Sequence, residues 1–344
     1  MLVEGSTCLV TGGAGFIGSH LTERLVELGH PVRVVDNLST GRRENLAHLD
    51  GQVEVQIGDL VSPEVCRRAV DGVQVVFHVA ALPSVPRSLA DPWASHDANV
   101  NATLQLLLAC QAAGVQRIVY SSSSSVYGDT PRLPKAETME PLPRSPYATS
   151  KLSGEQYVLA FARAGIIPGV ALRYFNVFGP RQDPASPYAA VIPLFLLGAL
   201  RGRPVTVYGD GGQTRDFTYV GNVVDANLLA AKRPANAVSG QPVNVGAGDR
   251  TSLNELLALI GEVTGVEVEA ERKPPRPGDV RDSLASLARA KRVLRYTPRV
   301  KLREGLEATW QWFRDAQLEA VETLRPTRPA AVAERSVDSV TAAT

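Results

Sequence analysis

Tyr147 and Lys151 stand four residues apart in the stretch SPYATSK. On a helix beginning near Pro146, positions four apart share a face, so the phenol and the ammonium project together. A phenol ionises near ~10 and is a poor base at neutral pH. A cation beside it favours the phenolate, and a positively charged nicotinamide ring would do so too. Such a pair suits removal of a proton from an alcohol while a hydride leaves the same carbon. Taken alone, the spacing is more often ordinary amphipathic helix surface. Its weight comes from two other features, a serine run and a glycine loop. Ser121 to Ser125, followed by Val126-Tyr127-Gly128, closes an apolar run. Five serines make a poor internal strand, so either hydroxyls bond locally to backbone or some face a ligand; in this company the ligand is favoured.

Far upstream, Thr11-Gly-Gly-Ala-Gly-Phe-Ile-Gly18 sits between a β-branched run and a helical period. Gly12, Gly15 and Gly18 permit a tight turn, and the backbone N–H groups around Phe16 and Ile17 could meet a pyrophosphate. Asp36 ends the next strand, 18 residues past Gly18. A carboxylate there accepts hydrogen bonds from ribose hydroxyls and would repel a 2′-phosphate, which favours NAD over NADP. Arg42 and Arg43 follow in a loop and read as solvated charges. Asp59-Leu60 could hold the adenine edge, or Asp59 could simply cap the next helix. Val79-Ala80-Ala81 ends a strand with small side chains, leaving room for the middle of a dinucleotide.

The elements that must position these groups alternate. Ser6–Val10, Val32–Asp36, Val53–Ile57, Val75–Val79, Arg117–Ser121 and Val170–Tyr174 read as strands; Phe16–Leu28, Pro63–Val70, Ala98–Ala113 and Tyr147–Arg163 read as helices. Alternation of this kind predicts an α/β fold, a parallel sheet with helices on both faces. Beyond Asn176 the pattern loosens into a Pro/Gly/Asp loop over Gly179–Tyr188 and a helix from near Ala190. Strands follow at Val205–Tyr208 and Asp216–Val220, then a helix Asn222–Ala231, a strand Val243–Val245 and a helix Leu253–Thr264. Residues 1–176 form the expected nucleotide domain, its sheet completed by about 215–247; 177–214 and 248–320 form a smaller α/β C-terminal lobe for substrate, and 325–344 a mobile tail.

With 44% hydrophobic and 21% charged residues, the 344-residue chain can bury a sizeable core. Thirty-six basic residues against 35 acidic leave a formal charge of +1, which gives no electrostatic case for nucleic acid or anionic membrane. No apolar run approaches the ~20 residues of a membrane helix. The N-terminus enters a strand without a basic lead, so no signal peptide is expected. Cys8, Cys66 and Cys110 are odd in number and predicted reduced and buried, which points to the cytoplasm. No metal ligand set is read.

Motifs TGGAGFIGSHL, DNLSTG, GDL, HVAA, YSSSSSVYGD, SPYATSK, RYFNVFGPRQ, TRDFTYV and RPGDVRDS together resemble the extended short-chain dehydrogenase/reductase family over residues 5–315. Within that family the chain resembles UDP-hexose 4-epimerases, and through RYFNVFGPRQDP, AAVIP, GDRTSLNEL and REGL the UDP-N-acetylglucosamine 4-epimerase group. The resemblance implies a Rossmann-like domain, bound NAD and a homodimer through the helices Ala98–Ala113 and Tyr147–Arg163. It implies Tyr147 as base, Lys151 on the nicotinamide ribose and lowering the tyrosine pKa, and Ser123 on the sugar 4-oxygen, with Ser124 and Ser125 beside it. It adds Asn37, Asn99, Ser121 and Tyr174 to the cofactor site. Asn176, Tyr208, Arg215, Arg276 and Asp279 fall where UDP is held; a ring can stack on uracil and guanidinium groups can grip a diphosphate. Ser283 corresponds to a size gate beside the C2 substituent, where a small side chain admits N-acetyl. Ser84 could line the same pocket, although Pro83 departs from the glycine the resemblance implies.

The implied reaction is oxidation at C4, rotation of a transient 4-keto sugar and reduction from the other face. Three rivals differ in residues. A 4,6-dehydratase would carry Asp-Glu where Ser124 and Ser125 stand. A UDP-uronate epimerase or decarboxylase could use Arg87 or Arg181 on a sugar carboxylate. A non-catalytic NAD-binding scaffold would not need Ser123, Tyr147 and Lys151 intact.

Overall fold

The computed structural model describes residues 1–186, 189–275 and 280–323, with side chains as far as Asp315. In chain order the first part contains β1 (Cys8–Thr11), α1 (Phe16–Glu27), β2 (Val32–Asp36), β3 (Val53–Ile57), α2 (Pro63–Val70), β4 (Val75–His78), α3 (Val85–Ala90), α4 (Pro92–His96), α5 (Ala102–Ala113), β5 (Arg117–Ser123), α6 (Pro146–Arg163) and β6 (Gly169–Tyr174). The remainder contains β7 (Val177–Phe178), α7 (Val191–Arg201), β8 (Val205–Tyr208), β9 (Thr214–Arg215), β10 (Thr218–Tyr219), α8 (Val220–Lys232), α9 (Ala235–Val238), β11 (Pro242–Val245), β12 (Thr251–Ser252), α10 (Leu253–Thr264), β13 (Ala270–Lys273) and α11 (Leu302–Thr323).

Seven parallel strands form one sheet in the order β3-β2-β1-β4-β5-β6-β11. Parallel strands buried on both faces should be continuously apolar rather than alternating, and Cys8-Leu-Val-Thr11 and Val75-Val-Phe-His78 are fully buried runs of that kind. One face packs under α1 and α8, through residues such as Leu21, Leu25, Val34 and Val223. The other packs under α2, α5 and α6, through Val76, Leu106, Ile118 and Val158. A third core, built from Phe195, Leu196, Phe217, Ile260 and Phe313, holds the lobe of α7, α10 and α11. Strand order reverses beside β1, so the carboxyl edge there opens the crevice in which such sheets bind ligands. Cys8, Cys66 and Cys110 are free and buried, and among the described residues no helix is long and apolar enough to cross a membrane.

Several boundaries differ from the sequence reading. β1 begins at Cys8, because Ser6 turns its hydroxyl to the Val3 amide, and it runs through Thr11. Ala98–Ala113 is not one α-helix: a π-helical turn over Asp97–Asn101 precedes α5, with the Asn99 side chain bonded to Leu82 and Ser150. Of the strand expected over Asp216–Val220 only Thr218–Tyr219 forms one, β10; β9 precedes it at Thr214–Arg215, and Val220 already begins α8. Asp216 interrupts it by drawing the amides of Ala247, Gly248 and Ala285 onto its carboxylate. The proposed tail at 325–344 lies outside the described residues.

Candidate active site

Ser145 starts α6. Its hydroxyl accepts the Ala148 amide at 3.1 Å, and Pro146 occupies the first turn, where its missing N–H costs nothing. This fixes Tyr147 at the carboxyl edge of the sheet and Lys151 one turn deeper. Tyr147 is half-buried and Lys151 is 1% exposed. The Lys151 ammonium lies 4.4 Å from the centre of the Tyr120 ring on β5. Ser123 ends β5, and its hydroxyl is near enough to the Tyr147 phenol to favour the ionised form. Burial raises the phenol's pKa and the Ser123 hydroxyl opposes it, so within the polypeptide the balance on Tyr147 is upward. Burial likewise lowers Lys151 to about 7, with the Glu155 carboxylate opposing. Within the polypeptide the Ser123 hydroxyl favours the phenolate and the Glu155 carboxylate favours the ammonium.

The serine run divides its labour. β5 extends two residues beyond its expected end, because hydroxyls that would weaken a strand find side-chain partners. Ser121 shares a 2.9 Å bond with the Tyr174 hydroxyl, which also meets Asn227. Ser122 donates to Glu155 Oε2 at 2.6 Å. Ser123 accepts the amide of Ser125 and its hydroxyl, at 3.2 and 2.9 Å. Ser124 and Ser125 form a half-buried 3₁₀ turn ending at Tyr127.

At the nucleotide end, Gly12 has φ +67°, and a Cβ there would lie 2.7 Å from Ala80 Cα. A Cβ on Gly18 would come within 2.1 Å of the Gly12 carbonyl oxygen. No side chain caps α1 at Gly15, which leaves first-turn amides of the Phe16-Ile17-Gly18 segment without a side-chain acceptor. Asp36 is 8% exposed; one carboxylate oxygen accepts the Ala14 amide at 3.0 Å and the other the Leu38 amide at 2.8 Å. Asn37 donates to Asp59 at 2.8 Å, joining the ends of β2 and β3. Ser62, not Asp59, caps α2. Leu60 is buried in the core under α2. The Ala80 amide donates to Thr11 Oγ1, and Ala81 beside it is half-buried. Asn99 spends its amide on Leu82 and Ser150, so it braces the end of β4 against α6. Arg42 is turned to Asp183 at 2.6 Å, away from competing with Asp36. An uncapped helix start, a glycine turn closed against β4 and an acid at the end of β2 together fit a dinucleotide with free ribose hydroxyls.

Further along the carboxyl edge, the Asn176 amide donates to Ser283 Oγ and to the Asp216 carbonyl, both at 3.3 Å. Ser283 is 8% exposed, its amide bonded to the Thr214 carbonyl. Arg215 donates to the carbonyls of Thr214 and Arg281, and Tyr208 ends β8 with its carbonyl held by Gln213. Thus Asn176, Arg215 and Ser283 share one cluster of segments. Arg276 and Asp279 lie outside the described residues. The Ser84 hydroxyl caps α3 through the Arg87 amide, at φ +103°. Arg181 is bound to Glu23 at 2.7 Å on α1, which commits its guanidinium elsewhere than a sugar carboxylate.

Two charged groups at the site went unnoticed in the sequence. Glu155 and Arg173 form a buried pair, 0% and 3% exposed at their side chains. A single Arg inside the apolar strand GVALRY, and a Glu four residues after Lys151, were the available signals.

Residues 8–246 match the model of the NAD dependent epimerase/dehydratase family. The chain belongs to that family. It is 41% identical over 311 residues to the UDP-glucose 4-epimerase of Mycolicibacterium smegmatis, covering 89% of this chain and 98% of that one. Among solved structures it resembles a UDP-N-acetylglucosamine 4-epimerase from Methanobrevibacter ruminantium M1 in complex with UDP-N-acetylmuramic acid, at TM-score 0.86, 38% identity and 91% and 100% coverage. It also resembles a Thermus thermophilus UDP-glucose 4-epimerase in complex with NAD, at TM-score 0.82, 38% identity and 90% and 99% coverage.

Proposed function

We propose that the chain is an NAD-dependent UDP-hexose 4-epimerase that interconverts UDP-N-acetylglucosamine and UDP-N-acetylgalactosamine, and UDP-glucose and UDP-galactose as well. The observation that carries this reading is the convergence of Ser123, at the end of β5, on Tyr147 in the first turn of α6, with the buried Lys151 one turn further along the same helix. NAD, when bound, supplies the hydride acceptor and donor at C4 by way of a 4-keto sugar. Tyr147 takes the proton of the 4-hydroxyl and later returns one, Ser123 holds the 4-oxygen, and Lys151 stabilises the phenolate and reaches the nicotinamide ribose. Asp36 accepts the adenosine ribose hydroxyls. Asn176, Tyr208, Arg215, Arg276 and Asp279 hold the UDP end, so the sugar is anchored remotely and can turn. Leu108 on α5 and Tyr157 on α6, 48% and 39% exposed, support a homodimer through those helices.

Ser283 supports the N-acetylated substrates, because a small side chain against Asn176 leaves volume beside C2. Ser283→Tyr is expected to lower kcat/KM for UDP-N-acetylglucosamine at least about tenfold more than for UDP-glucose; equal losses remove the gate. Asp36→Ala is expected to weaken NAD about tenfold and narrow its advantage over NADP, read by calorimetry; unchanged discrimination places the ribose elsewhere. The overall test is incubation with UDP-N-acetylglucosamine, following the anomeric NMR signals. UDP-N-acetylgalactosamine appearing without added NAD supports the reading, and no turnover on any UDP-hexose ends it.

A further inference from the structure

Tyr120 and Ser122 alternate with Ser121 and Ser123 along β5, so the even-numbered pair faces α6. Register pairs Ser122 with Arg173 on β6, side by side across the two strands. Glu155 reaches both. Its Oε2 accepts Ser122 Oγ at 2.6 Å and Arg173 Nε at 3.0 Å, and its Oε1 accepts Arg173 Nη2 at 2.5 Å. Arg173 in turn lies over the Tyr127 ring at 4.7 Å, and the Tyr127 hydroxyl donates to Asn244 on β11 at 2.6 Å. One carboxylate therefore ties the strand that presents Ser123 to the helix that presents Tyr147 and Lys151, with β6 and β11 behind it.

We propose that Glu155 is a positioning residue of the site: it locks the Ser122–Ser123 strand end against α6 and keeps the Lys151 ammonium charged in surroundings that disfavour charge. The proposal rests on the roles given above to Tyr147 and Lys151. Burying an ammonium favours its neutral form, and a carboxylate one turn away on the same helix restores the charged one. Burial does act on Lys151 in the first direction and Glu155 in the second. The other titratable groups bordering Lys151 are His78 on β4, Tyr120 on β5 and Tyr147 on its own helix. Arg173 on β6 and Tyr127 stand beyond Glu155. The helices α3 and α4 and the π-helical turn, which pack on α6, carry Arg87, Asp91, His96 and Asp97. His78 is pushed down to about 3 and stays neutral, which leaves Glu155 as the anion that holds the charge. A carboxylate serving only to neutralise Arg173 would leave Lys151 unmoved when Arg173 is removed along with it.

The test titrates Lys151 directly in the full chain labelled with ¹³C-lysine, its signal assigned by loss in Lys151→Met. Glu155→Gln is expected to move the Lys151 midpoint down by roughly one to two pH units, whereas Ser122→Ala leaves it within about 0.3 unit. Glu155→Gln/Arg173→Met, which leaves no buried charge unpaired, moves the midpoint the same way. On UDP-hexoses, Ser122→Ala lowers kcat about tenfold with KM unchanged, and the alkaline limb of the Glu155→Gln rate profile follows its NMR midpoint. A folded Glu155 variant with an unmoved midpoint overturns the proposal, as does failure of both Glu155 variants to fold, which would give the carboxylate to the fold alone. Absence of turnover in the unmodified protein would instead count against the 4-epimerase reading, and the titration would still judge Glu155.

Discussion

Tyr147→Phe is expected to lower kcat for UDP-hexose epimerisation by roughly three orders of magnitude while UDP-sugar affinity stays within about threefold. On the proposed reading the phenol takes the proton from an alcohol held by Ser123, and phenylalanine keeps its ring and volume. Ser145 continues to cap α6 and Ser123 keeps its bonds to Ser125, so the surrounding frame is unchanged. An NMR progress curve for turnover and calorimetry for binding give the two numbers. Activity above a tenth of the parent's would remove Tyr147 as the base.

The second large effect concerns stability. Asp216 is fully buried, and its carboxylate accepts three backbone amides, at 2.7 Å from Ala247, 3.1 Å from Gly248 and 3.0 Å from Ala285, beside the Thr218 hydroxyl. Asp216→Ala strands those three donors, and at about 1–3 kcal/mol for each buried group left unsatisfied, a loss of at least about 3 kcal/mol is expected at pH 7. Burial lifts this carboxyl to about 6 from an ordinary 3.8. A raised native value means that the folded chain holds the proton more tightly than the unfolded one. The stabilisation linked to that proton is complete below the unfolded value and is lost as pH rises through about 6. The gap between parent and Asp216→Ala should therefore be larger at pH 5 than at pH 7, by on the order of 1 kcal/mol. Urea denaturation at the two pH values measures it; a gap that widens toward pH 7 contradicts the assignment.

Much of the sheet was legible because parallel strands buried on two faces carry a simple signal. Val32–Asp36 and Val53–Ile57 emerged with the expected ends, as did the helix Pro63–Val70, marked by Ser62 and a proline at its first position. The glycine turn, Asp36 and the Tyr147/Lys151 spacing were legible for the same reason: each depends on residues close in sequence. What escaped depends on partners far apart. Asp216 breaks its strand through amides 31 and 69 residues away, and no local pattern announces that. Three serines can stay in β5 because Tyr174 and Glu155 come from β6 and α6 to meet Ser121 and Ser122. Asn99 and Ser84, both expected at ligands, have side chains engaged with the protein, at Leu82 and Ser150 for the one and at the start of α3 for the other. Family resemblance names positions; it does not tell a bracing amide from one that reaches a ligand.

β11 occupies the sheet edge beside β6, yet it is encoded some seventy residues later, after the elements of the smaller lobe have begun. During synthesis β6 must therefore wait with an open rank of backbone donors and acceptors until residues 242–245 leave the ribosome. Until then that rank is an edge at which a wrong strand could pair.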